Sequence, residues 1–233
     1  MSNFIESFKK VLTTDNIEMY LGGLKNTLII SALAVAVGIV VGVVLAMINY
    51  LNKKTGKFKI LSFLANIYIT IVRGTPVVLQ LLFLYFVIFI STPVPKLVAG
   101  SLAFGLNSSA YVAEIVRAGF ESVDDGQREA GRSLGLSTTR TLWHIIIPQA
   151  VKNSLPPLFN EFITLIKETA IIGYIGVEDL SKITDKIGGT TFNYIAPLVF
   201  SACIYLGIVM LLTLALRMIE KKFAQSDRNG GKK

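Results

Sequence analysis

Charge is scarce in this sequence. Only 16% of its 233 residues are Asp, Glu, Lys or Arg, against about 25% in soluble domains. Cys203 is the single cysteine and lies in an apolar run, which excludes an internal disulfide. His144 is the single histidine. With one of each there is no Cys/His metal spacing, and no Ser/His/Asp or Cys/His nucleophilic arrangement is plausible. His144 is read as a surface or interface residue rather than a ligand. No Gly-x4-Gly-Lys-Ser/Thr phosphate loop occurs, so the chain is not expected to hydrolyse ATP. There is also no repeat, no low-complexity segment and no soluble domain. Residues 1–23 carry Glu6, Lys9, Lys10, Asp15 and Glu18 and lack the apolar centre of a cleavable signal peptide.

What is abundant is apolar chain. Hydrophobic residues make up 52%, and the mean hydropathy is +0.61. A bilayer takes about 20 apolar residues per helical span, so this length holds five or six spans. Residues 26–52 are uncharged, with Gly38 and Gly42 four apart, a spacing that lets helices approach closely. Residues 60–95 are apolar apart from Arg73 and read as one span with a broken or interfacial segment. Residues 97–113 form the third run. The fourth starts near Pro156-Pro157, where proline suits a helix's first turn, and ends near Val177. The fifth covers residues 187–216.

The net charge of +8 raises nucleic acid as a partner, but the bases sit beside apolar runs rather than on a polar domain. Lys53, Lys54, Lys57 and Lys59 fill one loop, and Arg217, Lys221, Lys222, Arg228, Lys232 and Lys233 close the chain. Cytoplasmic loops carry an excess of Lys and Arg. Five spans with a cytoplasmic C-terminus bring both clusters inside and leave the N-terminus outside. The expected fold class is therefore all-α, a polytopic membrane protein of five transmembrane helices. The membrane domain is expected over 15–222, followed by a disordered basic tail at 223–233.

Between the third and fourth runs lies a polar, helix-forming segment, Glu129 to Ala150. It reads Glu129-Ala130, then Gly135, then nine residues, then Ile145-Ile146-Ile147-Pro148. A helix can run from Arg128 to Leu134, Gly135 can adopt positive φ and end it, and Ser137 can cap a second helix. Pro148 marks the junction with the next segment. Two short helices joined by a turn make a rigid protrusion, suited to a groove on a partner. A second motif, Arg73-Gly74-Thr75-Pro76 followed four residues later by Gln80, sets glycine and proline inside a membrane segment. They break the helix, and the freed backbone groups must then be buried in protein or line a cavity. A plain proline kink is the alternative.

The loop spacing closely resembles the EAA signature of ATP-binding-cassette importer permeases, Glu-Ala-Ala-x3-Gly-x9-Ile-x-Leu-Pro. Gly131 stands where Ala is usual and Ile147 where Leu is usual. The Arg-Gly-Thr-Pro motif, Asn107-Ser108 with Ala110 to Ile115, and Leu155-Pro156-Pro157-Leu158 with Asn160-Glu161-Phe162 resemble the polar amino-acid branch of that family. The resemblance covers about residues 15–222. It implies a permease subunit of an ATP-driven importer for a polar amino acid, a basic one among the candidates. Cystine, glutamine or methionine remain alternative substrates, and a secondary transporter, a channel or a membrane scaffold are rival classes. It further implies an ATP-binding subunit carrying ATP and Mg, an extracytoplasmic amino-acid-binding protein, and a second permease copy, expected as a homodimer in a bacterial plasma membrane. No cofactor is expected on this chain. The EAA loop becomes a cytoplasmic coupling loop, with Glu129, Ala130, Gly135, Leu136 and Ser137 at its contact with the ATPase.

Glu161 and Glu168 are seven apart, within about 20° of each other around a helix. A carboxylate near the bilayer centre costs roughly 2.5–3.5 kcal/mol, so such residues face a cavity or a partner. Lys167 points off their shared face, and Glu161 near the cytoplasmic end would be cheap. In the family the amino acid is bound partway through the membrane, so Glu168, Glu161, Asn107, Tyr111 and Thr75 are the candidate substrate residues. For Asn107, a helix-packing hydrogen bond is the alternative role.

Overall fold

The computed structural model describes residues 8, 9 and 11–230, with side chains as far as residue 222. Among the described residues the secondary structure is helical throughout. Helix α1 (Thr14–Thr55) begins where the Thr13 side chain accepts the Asn16 N–H. It ends at Gly56, whose φ of 69° lets its N–H turn back to the Asn52 carbonyl. Helix α2 (Lys59–Gly74) and helix α3 (Val77–Phe83, prolonged by a π-helical stretch, Leu84–Phe89) are bent by 112° at the break between them. Helix α4 spans Lys96–Glu121, α5 Asp125–Ser133 and α6 Thr138–Thr141. A π-helical stretch, Leu142–Ile146, leads into α7 (Ile147–Glu168). A 3-10 segment, Thr169–Ile175, precedes α8 (Leu180–Thr191), and α9 covers Ile195–Gly230.

Helices α1 and α9 are long and apolar enough to cross a bilayer, and α2 with α3 makes a third crossing if the bent pair is one span. Helices α4 and α7 have 26 and 22 residues; at 1.5 Å per residue each exceeds the roughly 30 Å of a hydrocarbon core. Helix α4 packs inside the bundle, with about half of its residues buried, whereas α7 leaves most of its surface at least partly exposed. Helix α9 turns Leu198, Leu206, Met210 and Leu211 outward, a surface suited to lipid.

The α1–α4 pair is the spine. Gly38 and Gly42 lie against α4, and a Cβ on Gly42 would sit 2.7 Å from the Ser109 carbonyl oxygen and the Val112 side chain. The glycine spacing is therefore a contact surface with no room for a side chain. Around it Ile30, Ala34, Leu81, Phe104, Leu165 and Ile172 join α1, α3, α4, α7 and the 3-10 segment in one core. At the other end of α1, Asn26 Nδ2 donates to the Glu178 carbonyl (2.8 Å) and Thr27 Oγ1 accepts the Leu180 N–H (3.2 Å). Asp179 caps α8 through the Ser181 and Lys182 N–H groups. It is fully buried, and burial pushes its carboxyl up to about 6 against the pull of those donors.

One expectation is corrected. Pro156 and Pro157 lie inside α7, not at its start; the helix opens at Ile147 with Pro148 in its first turn. The polar run 149–154 reads as loop in one dimension. In the fold Ala150 and Ser154 press on Gly119 of α4, where a Cβ would meet Ser154 Oγ and the Ala150 carbonyl. The backbone of 223–230 continues α9 to Gly230. Residues 231–233 lie outside the described residues.

Candidate functional site: a broken helix, buried carboxylates and a capped loop

Pro76 has no N–H and follows a residue held extended, so α2 cannot continue through Thr75-Pro76. Carbonyls at the end of α2 lose their helical donors. Gln80, one turn into α3, takes them over: its Nε2 donates to the Val72 carbonyl (2.8 Å), the Thr75 carbonyl (3.1 Å) and Thr75 Oγ1 (2.7 Å). Thr75 Oγ1 itself donates to the Ile71 carbonyl. Gln80 Oε1 accepts from Asn107 Nδ2 at 2.9 Å. Thr75 and Asn107 are thus brought together through a glutamine. Asn107 is buried, and its side chain ties α4 to the break, the helix-packing role weighed for it above.

On the next residue of α4, Ser108 Oγ donates to Glu161 Oε1 at 2.8 Å. Ser108 is fully buried and Glu161 half-buried, so a carboxylate from α7 meets α4 one residue along from Asn107. Glu168, half-buried, closes α7 within Coulombic reach of Glu161 and Lys167. Tyr111 sits one turn along α4 from Asn107. It faces the Arg73 guanidinium at 5.6 Å from its ring centre, and Arg73 pairs with Glu114 at 3.4 Å. These three, with Asn66, Thr70 and Gly74, line an open cavity of about 640 Å³ beside the break. Charged and polar groups exposed on membrane helices belong to a water-filled space or a protein partner.

The loop has the expected caps. Helix α5 starts at Asp124, whose side chain accepts the Gly126 N–H. At its end Gly135 has a φ of 80°, its N–H bonds the Arg132 carbonyl (3.0 Å), and the Leu136 N–H bonds the Gly131 carbonyl (3.1 Å). This pair of crossed bonds is a Schellman turn, which closes a helix on a left-handed residue. Ser137 Oγ then accepts the Arg140 N–H and opens α6. Glu129, Ala130, Gly135 and Ser137 are exposed and Leu136 half-buried. Leu134 is 81% exposed, an apolar side chain that only a partner would cover. The glycine at position 131 has a local cause: a Cβ there would meet Thr141 Cγ2 at 2.8 Å and Ile145 Cδ1 at 3.0 Å. His144 is exposed, beside the Arg140 carbonyl.

Gln80 and the Arg73–Glu114 pair are the site features that the sequence reading left without a role. Their signals were present as a glutamine one turn past a proline break and as charges closing two apolar runs.

A polytopic helical chain with a broken span, carboxylates within the bundle and a rigid two-helix loop at one end is a transport permease. Residues 37–225 match the family described as binding-protein-dependent transport system inner membrane components, and the chain belongs to that family. It is 42% identical over 202 residues to a putative glutamine transport system permease protein of Rickettsia bellii, covering 86% of this chain and 90% of that one. It is 36% identical over 217 residues to the arginine transport system permease protein of Bacillus subtilis, covering 92% and 97%. The solved structure of an amino acid ABC transporter with histidines superposes with a TM-score of 0.83 at 38% identity, covering 89% of this chain and 95% of that chain.

Proposed function

We propose that this chain forms half of an ATP-driven import pathway for a polar amino acid. The carrying observation is the Thr75–Gln80–Asn107 network at the helix break, with the Ser108–Glu161 bond one residue along α4. Together they give α4 a carboxyl side chain and several neutral hydrogen-bonding groups as neighbours within the bundle. A carboxylate inside the bundle suits the α-ammonium group that every amino acid carries, and a cationic side chain equally. Glu161, Glu168, Asn107, Tyr111 and Thr75 line the path in this reading. The resemblance to glutamine and arginine permeases and to an amino acid ABC transporter supports amino acids as the class.

In the same reading the chain crosses the membrane five times in a bacterial plasma membrane, with the N-terminus outside and the C-terminus inside. Helices α5 and α6 dock on a separate ATP-binding subunit, which hydrolyses ATP with Mg. A binding protein outside delivers the amino acid, and a second copy of this chain completes the path. The decisive experiment is reconstitution in liposomes with the ATPase and the binding protein. Labelled glutamine or arginine should accumulate only with enclosed ATP; uptake driven by an ion gradient without ATP would make this a secondary transporter.

The orientation has its own test. With Cys203 removed, a cysteine at Lys54 should react with an impermeant thiol reagent only from the cytoplasmic side, and one at Asp185 only from outside. Labelling of position 54 in intact cells would reverse the assignment.

A further inference from the structure

Phe192, Asn193 and Tyr194 turn the corner from α8 into α9, and the local bonds hold that corner in one shape. Phe192 ends α8 with a φ of 50°, the left-handed region that bulky side chains avoid. Among the described residues it is the one non-glycine with positive φ. Its N–H bonds the Gly188 carbonyl, and the Asn193 N–H reaches the same carbonyl at 3.2 Å. Asn193 Oδ1 then accepts the Ile195 N–H at 3.1 Å and opens α9. The Tyr194 ring lies on Gly188, where a Cβ would meet its Cδ1 at 2.5 Å.

What this corner presents is apolar. Phe192 is 94% exposed, and Ile195 and Leu198 are exposed after it. The fold thus holds a phenyl ring on strained backbone and leaves it uncovered by the chain itself. Strained backbone persists where its surroundings fix it, and it gathers at sites that clamp or bind something.

The neighbouring elements say what covers it. Helix α9 is an apolar span with only 6% of its most apolar stretch buried in the protein, so its outward Leu206, Met210 and Leu214 face lipid. Ile195 and Leu198 carry that apolar surface to the first turn of α9, and Phe192 stands just before it. Helix α8 offers no such surface. Its Leu180, Ile183 and Ile187 are turned inward with Tyr20 and Ala196, and its exposed residues are Asp185, Lys186, Gly189 and Thr190. The change from polar to apolar surface therefore falls at Phe192.

We propose that the Phe192 corner is a membrane anchor: its ring enters the lipid just below the headgroups and fixes how deep α9 sits, with α8 held above it at the water interface. Aromatic side chains at this level, with their neighbours, set the depth and tilt of a span. The anchor requires α9 to be a span. It requires neither the substrate nor the sidedness proposed above; that orientation puts the corner in the outer leaflet.

The test places the full chain in liposomes. Trp143 is the single tryptophan, so Trp143→Phe with Phe192→Trp makes the emission report one position. Lipids brominated near the headgroup should quench it several-fold more than lipids brominated at the chain ends. Acrylamide in the water should quench it several-fold less than it quenches an Asp185→Trp reporter on the polar face of α8. A spin label on Phe192→Cys, with Cys203→Ser, repeats the measurement without an indole: collisions with oxygen should exceed those with a water-soluble nickel chelate. Free access of acrylamide with no effect of bromine overturns the anchor. So does shielding that appears only when the binding protein is added, which gives the corner to that protein. Shielding from acrylamide that bromine never reaches gives it to a second copy of this chain, and overturns the anchor too. None of these readings needs ATP or an amino acid, so failed import leaves the test standing.

Discussion

Glu168→Gln should cut import of a cationic amino acid by about 10–100-fold while leaving basal ATPase activity in place. Removing one partner of a buried charge pair costs roughly 3–5 kcal/mol, and each 1.4 kcal/mol is tenfold. Glu168 is half-buried, so water screens part of that cost and the effect falls below that range, at about 1.4–2.8 kcal/mol. The amide keeps the shape and a hydrogen-bonding oxygen, so the fold should hold. Glu161→Gln makes the informative companion: its amide oxygen can still accept from Ser108 Oγ, so a loss of import there reports charge rather than packing. Uptake of glutamine and arginine by both variants, at fixed binding-protein concentration, separates the cases. If arginine import is unchanged in both, these carboxylates do not meet the substrate's cation. If neutral amino acids are imported and basic ones neither compete nor stimulate the ATPase, the cationic reading of the substrate is wrong.

Gly135→Asp should abolish ATP-coupled uptake while the protein still inserts in the membrane. The left-handed backbone at Gly135 tolerates Asp better than most residues. A Cβ there meets nothing within 4 Å, so the chain itself has room for the change. The new carboxylate would instead project from the joint between α5 and α6, where the ATPase is proposed to sit closely. The expected loss is more than about 100-fold, as for an uncompensated charge buried in an interface. Copurification of the ATPase with the variant should fall in parallel. Gly135→Ala, with the same backbone demand and no charge, separates strain from charge. Normal uptake by Gly135→Asp would remove this face from the docking surface.

The loop was legible because its signals are local. A glycine that must take positive φ and a serine that must accept an N–H three residues on are read within a few positions, and both occur as expected at Gly135 and Ser137. The break at Gly74-Thr75-Pro76 was legible for the same reason. What repairs the break was not. Gln80 bonds Asn107 across 27 residues and Ser108 bonds Glu161 across 53, and no spacing rule selects such pairs. The start of α7 was misplaced because burial of Ala150 and Ser154 against Gly119 overrides a polar local pattern. Tyr111 shares a helix face with Asn107 in sequence, yet Arg73 draws it to the neighbouring cavity. The five apolar runs gave the bundle; the partner of each polar residue within it is a tertiary fact.

The bonds from Asn26 and Thr27 to the start of α8 have a consequence for biosynthesis. Asn26 and its partner are 152 residues apart. At translation rates of roughly 5–20 residues per second, α1 would be made some 8–30 s before residues 178–180 leave the ribosome. During that interval the N-terminal end of α1 must be held by water, lipid headgroups or the insertion machinery. The clamp therefore closes late in synthesis. A ribosome stalled before α8 would leave a chain whose first span is inserted but not locked, a form that quality-control proteases could recognise by its loose end.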